Sequence, residues 1–287
     1  VIGAAFVASR SGFENVITFD MGGTTAKAAL IENGVLLRTD EYEVGGGISL
    51  SSRLVKGGGY ALKFPVIDIS EVGAGGGSLV WIDRGGVLKV GPRSAGAVPG
   101  PACYGTGGTQ PTVTDANVAL GYLNPEALAG GQVPIHAARA RESLSREVAA
   151  PLGQSLEAAA YGVHCLASST MMRAVKAVST YRGRDPRDFT LFAFGGNGGV
   201  HAAQLARDLG MERIVVPPAA GVFSAVGLLL ADKQMRMSRS LLCALADADI
   251  AVLDEAYAAL EGRLIAEFAA DGNGRPHLER QADLRYR

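Results

Sequence analysis

With 287 residues, 48% apolar and 19% charged, and a formal net charge of −1, the chain is long enough for one large domain or two moderate ones with a proper core. Its basic residues are scattered singly and its few aromatics are not interleaved with them, which excludes the basic stripe or stacking platform of a nucleic-acid binder. Cys103, Cys165 and Cys243 lie far apart, so neither a zinc knuckle nor a disulfide framework is expected, a reduced cytoplasmic compartment fits best, and the longest apolar run, Ala219 to Ala231, is too short to span a bilayer.

The chain begins at Val1 without a basic and then apolar leader, as expected of a fragment or a processed protein. Residues 16–19 (VITF) predict a short strand that ends at Asp20 and turns at Met21-Gly22-Gly23. Residues 25–31 return, Asn33-Gly34 supplies a tight hairpin because both residues tolerate positive φ, and residues 35–44 follow as a third strand. The result is an antiparallel meander. Residues 45–115 are mostly glycine-rich loop and short strand, including 86–90, and apolar spacing predicts helices over 137–150 and 155–182. Next come a strand over 190–194, the loop GGNGG, a helix over 200–209, and a strand over 214–216 stopped by Pro217-Pro218; that order implies parallel pairing. An amphipathic helix over 249–270 and a strand over 277–287 close the chain. A hairpin meander followed by helices and parallel strands is the order of a ribonuclease-H-like fold, so the class is α/β with a mixed sheet. The expected division is a main domain over 1–245 and a separate C-terminal region over 246–287.

The 39 glycines cluster instead of spreading. In Asp20-Met21-Gly22-Gly23-Thr24-Thr25, a strand delivers a carboxylate to a turn whose backbone N–H groups can converge, and two hydroxyls follow. Phosphate oxygens want such converging donors, and the carboxylate suits a magnesium ion held through its waters. The bland alternative is a hairpin with a capping aspartate. In residues 191–202 (LFAFGGNGGVHA) a strand feeds a glycine-rich turn and then a helix start. No Walker A sequence is present and the Rossmann glycine spacing does not fit, but glycines there would let a flat adenosine lie against the backbone. Residues 72–83 (VGAGGGSLVWID) read either as a second anion nest or as a close crossing of two backbones. Residues 91–117 are too long an irregular stretch to be idle. Within it, Asp115 is either a helix cap or a site residue, and Cys103 is expected to be a small buried residue.

Taken together, DMGGTTAKAALIENG (20–34), VIDISEVGAGGGSLVWID (66–83), VGPRSAGAVPGPACYG (90–105), TVTDANVALG (112–121), YRGRDPRDFTLFAFGGNGGVHA (181–202) and VVPPAAGVFSAVGLLLAD (215–232) resemble the hydantoinase A / 5-oxoprolinase family, which includes the ATP-binding subunits of acetone and acetophenone carboxylases. That family is similar to the sugar kinase, actin and heat-shock-70 superfamily, in which two ribonuclease-H-like domains clasp ATP. The resemblance implies that Asp20, Gly22, Gly23, Thr24 and Thr25 form the second phosphate loop, and that Gly195, Gly196, Gly198 and Gly199 form the adenosine loop. It implies ATP and Mg2+ as cofactors, with Asp20 at the metal and Asp20 and Asp115 as catalytic candidates. It also implies a cyclic amide or imide substrate such as a hydantoin, and a hydantoinase-B-like partner subunit. The partner ATP-clasping domain is expected to lie outside this chain, which would leave the fragment inactive alone. Alternatives are the ATP-activating subunit of a ketone carboxylase and a non-catalytic nucleotide-binding module. Two departures stand out: many relatives carry Asp where Lys27 stands, and His-Thr where Ser70-Glu71 stand. If these side chains touch metal or substrate, the substrate differs from oxoproline.

Overall fold

A computed structural model describes residues 1–39, 42–44, 60–62, 66–272, 274, 276–282 and 284. These fall into two compact units, Val1–Ala231 and Asp232–Arg287. In chain order the first unit is built from α1 (Ile2–Arg10), β1 (Val16–Met21), β2 (Ala26–Glu32), β3 (Val35–Leu36), β4 (Ile69–Val72), β5 (Ser78–Ile82), β6 (Leu88–Ser94), α2 (Val113–Ala119) and α3 (Leu156–Val178). It continues with β7 (Thr190–Phe194), α4 (Gly198–Leu209), β8 (Ile214–Val215) and α5 (Phe223–Leu229).

The main sheet runs β8-β7-β1-β2-β3, with β4 also paired to β2. β1 is its centre: it pairs parallel with β7, from Val16↔Thr190 to Asp20↔Phe194, and antiparallel with β2, from Val16↔Ile31 to Met21↔Ala26. β8 extends the parallel half and β3 and β4 the antiparallel half. This mixed order is the ribonuclease-H-like arrangement. Both faces of β1 are covered, which is why VITFDM reads as a nearly continuous apolar run. On one face Ile17, Phe19, Met21, Leu191 and Ala193 pack against α2, α3 and α4; on the other Val16, Phe192 and Phe194 pack against α1 and α5 through Ala4, Ala8 and Phe223. The buried stripe of α3 is rich in small residues (Ala159, Ala160, Ala167, Ala174), which lets a 23-residue helix lie close to β2 and β4.

The meander departs from expectation in its third strand. Instead of one strand over 35–44, only Val35–Leu36 stay on β2; Arg38–Thr39 pair with Val66–Ile67, and Tyr42–Val44 with Tyr60–Leu62. The edge of β2 is shared: Ile31 and Glu32 take β3, while Ala26 to Ala29 take β4. Backbone hydrogen bonds from Leu37 to Leu30 and from Asp68 to Leu37 mark where the chain leaves that edge and returns to it. Residues 45–59 lie outside the described set. Several elements had no sequence expectation, among them α1, the short strand pair Ala127–Leu128 and Val133–Pro134, and α5 within an apolar run read only for its length.

The second unit holds α6 (Ile250–Ala270), started by Asp249, whose carboxylate accepts from the Ala251 N–H. The strand expected over 277–287 is not formed among the described residues there. Those residues run along α6 instead: Arg280 pairs with Asp254 and Glu261, and the Tyr257 hydroxyl donates to the Gln281 carbonyl. Charged side chains thus find partners on the helix and the backbone forms no ladder.

Candidate active site

The two glycine motifs meet at the end of β1. Asp20 is the last residue of that strand paired with both neighbours, Lys27 on β2 and Phe194 on β7. The turn beyond it is closed by Gly22 N–H to Thr25 carbonyl at 3.1 Å. The loop beyond β7 folds back on the same corner: Asn197 N–H donates to the Met21 carbonyl at 3.0 Å, and the Asn197 amide reaches the Gly22 carbonyl at 3.4 Å. Gly195 has φ +82°, and a Cβ there would stand 2.5 Å from Asp20 Oδ1. Only glycine fits, because it alone tolerates both the left-handed backbone and the approach of a carboxylate. The Asp20 carboxylate also accepts from the Ser224 hydroxyl of α5 at 3.1 Å, which fixes its direction.

The glycines divide into two groups. A Cβ on Gly22, Gly23 or Gly196 meets nothing within 4 Å, and Gly23, Thr24 and Gly196 are exposed. Fold packing therefore places no demand on glycine at these positions. By contrast, a Cβ on Gly75 would stand 2.6 Å from the Gly23 carbonyl carbon and the Thr24 nitrogen. Gly76 and Gly77 donate to the carbonyls of Gly22 and Gly23 at 3.1 and 2.6 Å. The 72–83 segment is therefore the close crossing of two backbones: it braces the 22–25 turn from behind and turns that turn's carbonyls away from its open side. α4 starts at Gly198 without a side-chain cap from Asn197, so its first-turn amides and positive dipole end sit beside the same corner.

Asp115 lies one layer back. Thr114 N–H donates to the Gly76 carbonyl at 2.8 Å, joining α2 to the bracing loop. Asp115 is fully buried and forms a reciprocal capping box with Thr112 at the start of α2. Its Oδ2 accepts from the Thr112 N–H and hydroxyl, both at 2.8 Å, and from the Ala102 N–H at 3.2 Å; Oδ1 accepts from the Cys103 N–H at 2.8 Å. Asp115 thus caps α2 and also accepts from the backbone N–H groups of Ala102 and Cys103, and it is not among the residues gathered at the Asp20 corner. Cys103 is fully buried, and burial next to Asp115 raises its thiol pKa, so it is held protonated.

One constellation has no counterpart in the sequence reading. His164 and Ser168 on α3, Asn117 on α2 and His201 on α4 form a closed ring of hydrogen bonds. The donors can be assigned in turn. The Ser168 hydroxyl donates to the His164 carbonyl (2.9 Å), so Ser168 Oγ must accept from His201 Nδ1 (3.0 Å). That leaves His201 Nε2 to accept from the Asn117 amide (3.2 Å), while Asn117 Oδ1 accepts from His164 Nδ1 (2.9 Å). His201 is neutral in this ring, because its Nε2 accepts. Burial is the main cause of the lowered pKa values of both imidazoles, and His201, stacked on His164 at 4.4 Å, is lowered to about 3. The i,i+4 spacing of His164 and Ser168 was a visible signal, but their partners on α2 and α4 were not. Among the described residues, no group of three or more His, Cys, Asp or Glu could hold a metal, and no helix is long and apolar enough to cross a membrane.

The fold and this corner define a ribonuclease-H-like domain with two glycine loops converging on a strand-end carboxylate. Comparison with known proteins then gives the family: the hydantoinase/oxoprolinase family model matches residues 1–237, and the chain belongs to that family. It is 43% identical over 286 residues to an uncharacterised protein of Methanocaldococcus jannaschii, covering 100% of this chain and 41% of that one. It is 39% identical over 285 residues to the caprolactamase subunit alpha of Pseudomonas jessenii, covering 98% and 39%. Among solved structures, the nucleotide-free acetone carboxylase, described as carrying out ATP-dependent acetone carboxylation, superposes with a TM-score of 0.78 at 30% identity, over 95% of this chain and 38% of that one. The chain thus spans about two-fifths of the length of these relatives.

Proposed function

We propose that this chain is the part of an ATP-dependent cyclic-amide hydrolase that holds the nucleotide's phosphates. The single observation that carries the reading is the corner where Gly195 abuts Asp20 while Gly22, Gly23 and Gly196 remain open. Glycines with nothing to pack against suit a ligand that approaches the backbone closely. The caprolactamase subunit and the ATP-dependent carboxylase among the relatives support the same direction.

Amides are poor electrophiles. When bound, ATP would supply a phosphoryl group to the carbonyl oxygen; water then adds at that carbon, the ring C–N bond breaks with the nitrogen taking a proton, and a second water attacks the carbon of the resulting acyl phosphate and expels inorganic phosphate. The residues of this chain position and stabilise. Amides of the 22–25 turn and the Thr24 and Thr25 hydroxyls bind phosphate oxygens, and the α4 N-terminus at Gly198 and Gly199 adds its dipole. Gly195 and Gly196 let a flat adenosine lie against the backbone. Asp20, directed by Ser224, orients the metal's water shell or the reacting centre. A lone half-buried carboxylate beside a phosphate cradle fits Mg2+ held through waters and phosphates, as that ion prefers few protein ligands. Asp115 acts through α2, holding the loop that braces the turn. The substrate is a cyclic amide or imide of the hydantoin or lactam class, handled with a partner subunit, a reading supported by the caprolactamase relative being a subunit alpha.

A ketone carboxylase would use the same phosphate-holding corner with a different acceptor, and the acetone carboxylase similarity favours keeping that as the second reading. The experiment is an assay of the intact protein with its partner subunit on hydantoins, lactams and small ketones. ATP-dependent ring opening supports the hydrolase; ATP-dependent bicarbonate fixation onto ketones alone supports the carboxylase.

A further inference from the structure

Lys27 and Glu71, one residue from each of the two departures noted in the sequence, are cross-strand partners. Lys27 on β2 lies opposite Glu71 on β4, and on its other side opposite Asp20 on β1. Directly opposed residues in an antiparallel pair point to one face of the sheet with Cβ atoms about 4.5–5.5 Å apart. Asp20, Lys27 and Glu71 therefore form one row across three strands, on the face that carries Val16, Phe192 and Phe194 further along. The row sits where β2 begins, two residues beyond the 22–25 turn. On the other side of Asp20 the row is continued by buried Phe194.

Within the row, Asp20 is held by Ser224 and Lys27 by Glu71, with Nζ 3.7 Å from Oε1. The Lys27 and Glu71 side chains are 45% and 35% exposed. An ion pair so long and so wet adds almost nothing to stability. A stronger anion can take the ammonium from Glu71 at little cost, and the lysine stem is flexible enough to follow it. The anion that the neighbouring turn is built to receive is a phosphate.

We propose that Lys27 is the cation that meets the terminal phosphoryl group of the nucleotide, with Glu71 holding it aside until that group arrives. The proposal rests on the nucleotide-binding reading above and adds a residue to it. It has two signed consequences. Removing the ammonium weakens binding of a triphosphate but not of a diphosphate, since only the former carries the terminal group. Removing Glu71 strengthens triphosphate binding, because the competitor for Lys27 is gone.

The test is calorimetric binding of the β,γ-imido analogue of ATP, and of ADP, to the intact protein. For Lys27→Met the analogue's affinity is expected to fall about tenfold or more while ADP stays within twofold, with Lys27→Arg recovering most of the loss. For Glu71→Gln the analogue is expected to bind roughly 1.5- to 5-fold tighter, the range set by the worth of an exposed ion pair. Melting temperatures run alongside show whether the variants fold. Equal shifts for the two nucleotides, no shift in folded variants, or weaker analogue binding in Glu71→Gln would overturn the role of Lys27 while leaving the phosphate cradle standing. If the wild-type protein binds neither nucleotide, the functional reading fails first and this one with it.

Discussion

Alanine at two kinds of glycine should produce opposite signatures. At Gly195 the backbone has φ +82° and the new Cβ would stand 2.5 Å from Asp20 Oδ1, with the Met21 carbonyl oxygen as close. The left-handed conformation costs a non-glycine residue about 1–2 kcal/mol. Relieving a contact with backbone in a packed corner costs a further ~1–3 kcal/mol. The midpoint is about 3.5 kcal/mol, and at roughly 2–4 °C per kcal/mol for a chain of this size, Gly195→Ala should lower Tm by roughly 7–14 °C. At Gly23 and Gly196 the added Cβ meets nothing within 4 Å and φ is not in the left-handed region. Gly23→Ala and Gly196→Ala should therefore leave Tm within about 2 °C, because substitutions away from packed features usually cost no more than ~0.5 kcal/mol. If these glycines are open because a nucleotide lies on them, the same variants should weaken nucleotide binding about tenfold or more. Differential scanning fluorimetry and calorimetric titration on the same samples give both numbers. Variants at Gly23 and Gly196 that are stable and bind ATP normally would refute the argument that open glycines mark the ligand.

Other outcomes follow from the same geometry. Asp20→Asn keeps the side chain's shape and its acceptor for Ser224, so Tm should hold while kcat in the intact enzyme falls on the order of 10²-fold; a stable variant with near-normal turnover removes Asp20 from the site. Asp115→Ala strips a buried cap from four donors and should cost about 3 kcal/mol or more, read by urea unfolding; a folded, fully stable variant with lost turnover would make Asp115 catalytic instead. His201 has its folded pKa lowered to about 3 from an ordinary value of 6.5, so the unfolded chain binds more protons between those limits. Its contribution is intact above pH 6.5 and is lost as pH falls toward 3. His201→Gln should therefore show a flatter fall in Tm between pH 7 and pH 4 than the wild type, and an unchanged slope would contradict a neutral buried imidazole. Finally, the 287-residue chain alone should release phosphate from ATP only at background rate, and robust turnover that copurifies with it would contradict the need for the rest of the protein.

Much of the central sheet was legible because its signals are local. Residues 16–19 read as a short strand ending at Asp20, Asn33-Gly34 fixes the hairpin, and Pro217-Pro218 stops the strand before it. The helix from Leu156 to Val178 followed from its apolar spacing. What was not legible depends on partners distant in sequence. Nothing near Leu37 says that the chain gives up β2 so that Ile69–Val72 can take it. Glycines 75–77 allow either a nest or a crossing until Gly23 is seen against them. Asp115 looks equally like a cap and a site residue until Ala102 and Cys103 are seen to share its carboxylate. The ring through Asn117, His164, Ser168 and His201 needs three helices at once. Lys27 and Glu71, noticed separately as departures, become one feature only through strand register.

The central claim is that the phosphates held at the Asp20 corner are spent on activating an amide carbonyl, and an oxygen-label experiment addresses it most directly. A hydantoin or lactam carrying ¹⁸O in the carbonyl is turned over by the intact protein with its partner subunit, ATP and Mg2+. If the carbonyl oxygen is phosphorylated and then expelled, the label should leave in inorganic phosphate, with one ADP formed per ring opened. Label retained wholly in the ring-opened product, or ring opening that proceeds without ATP, would contradict the account.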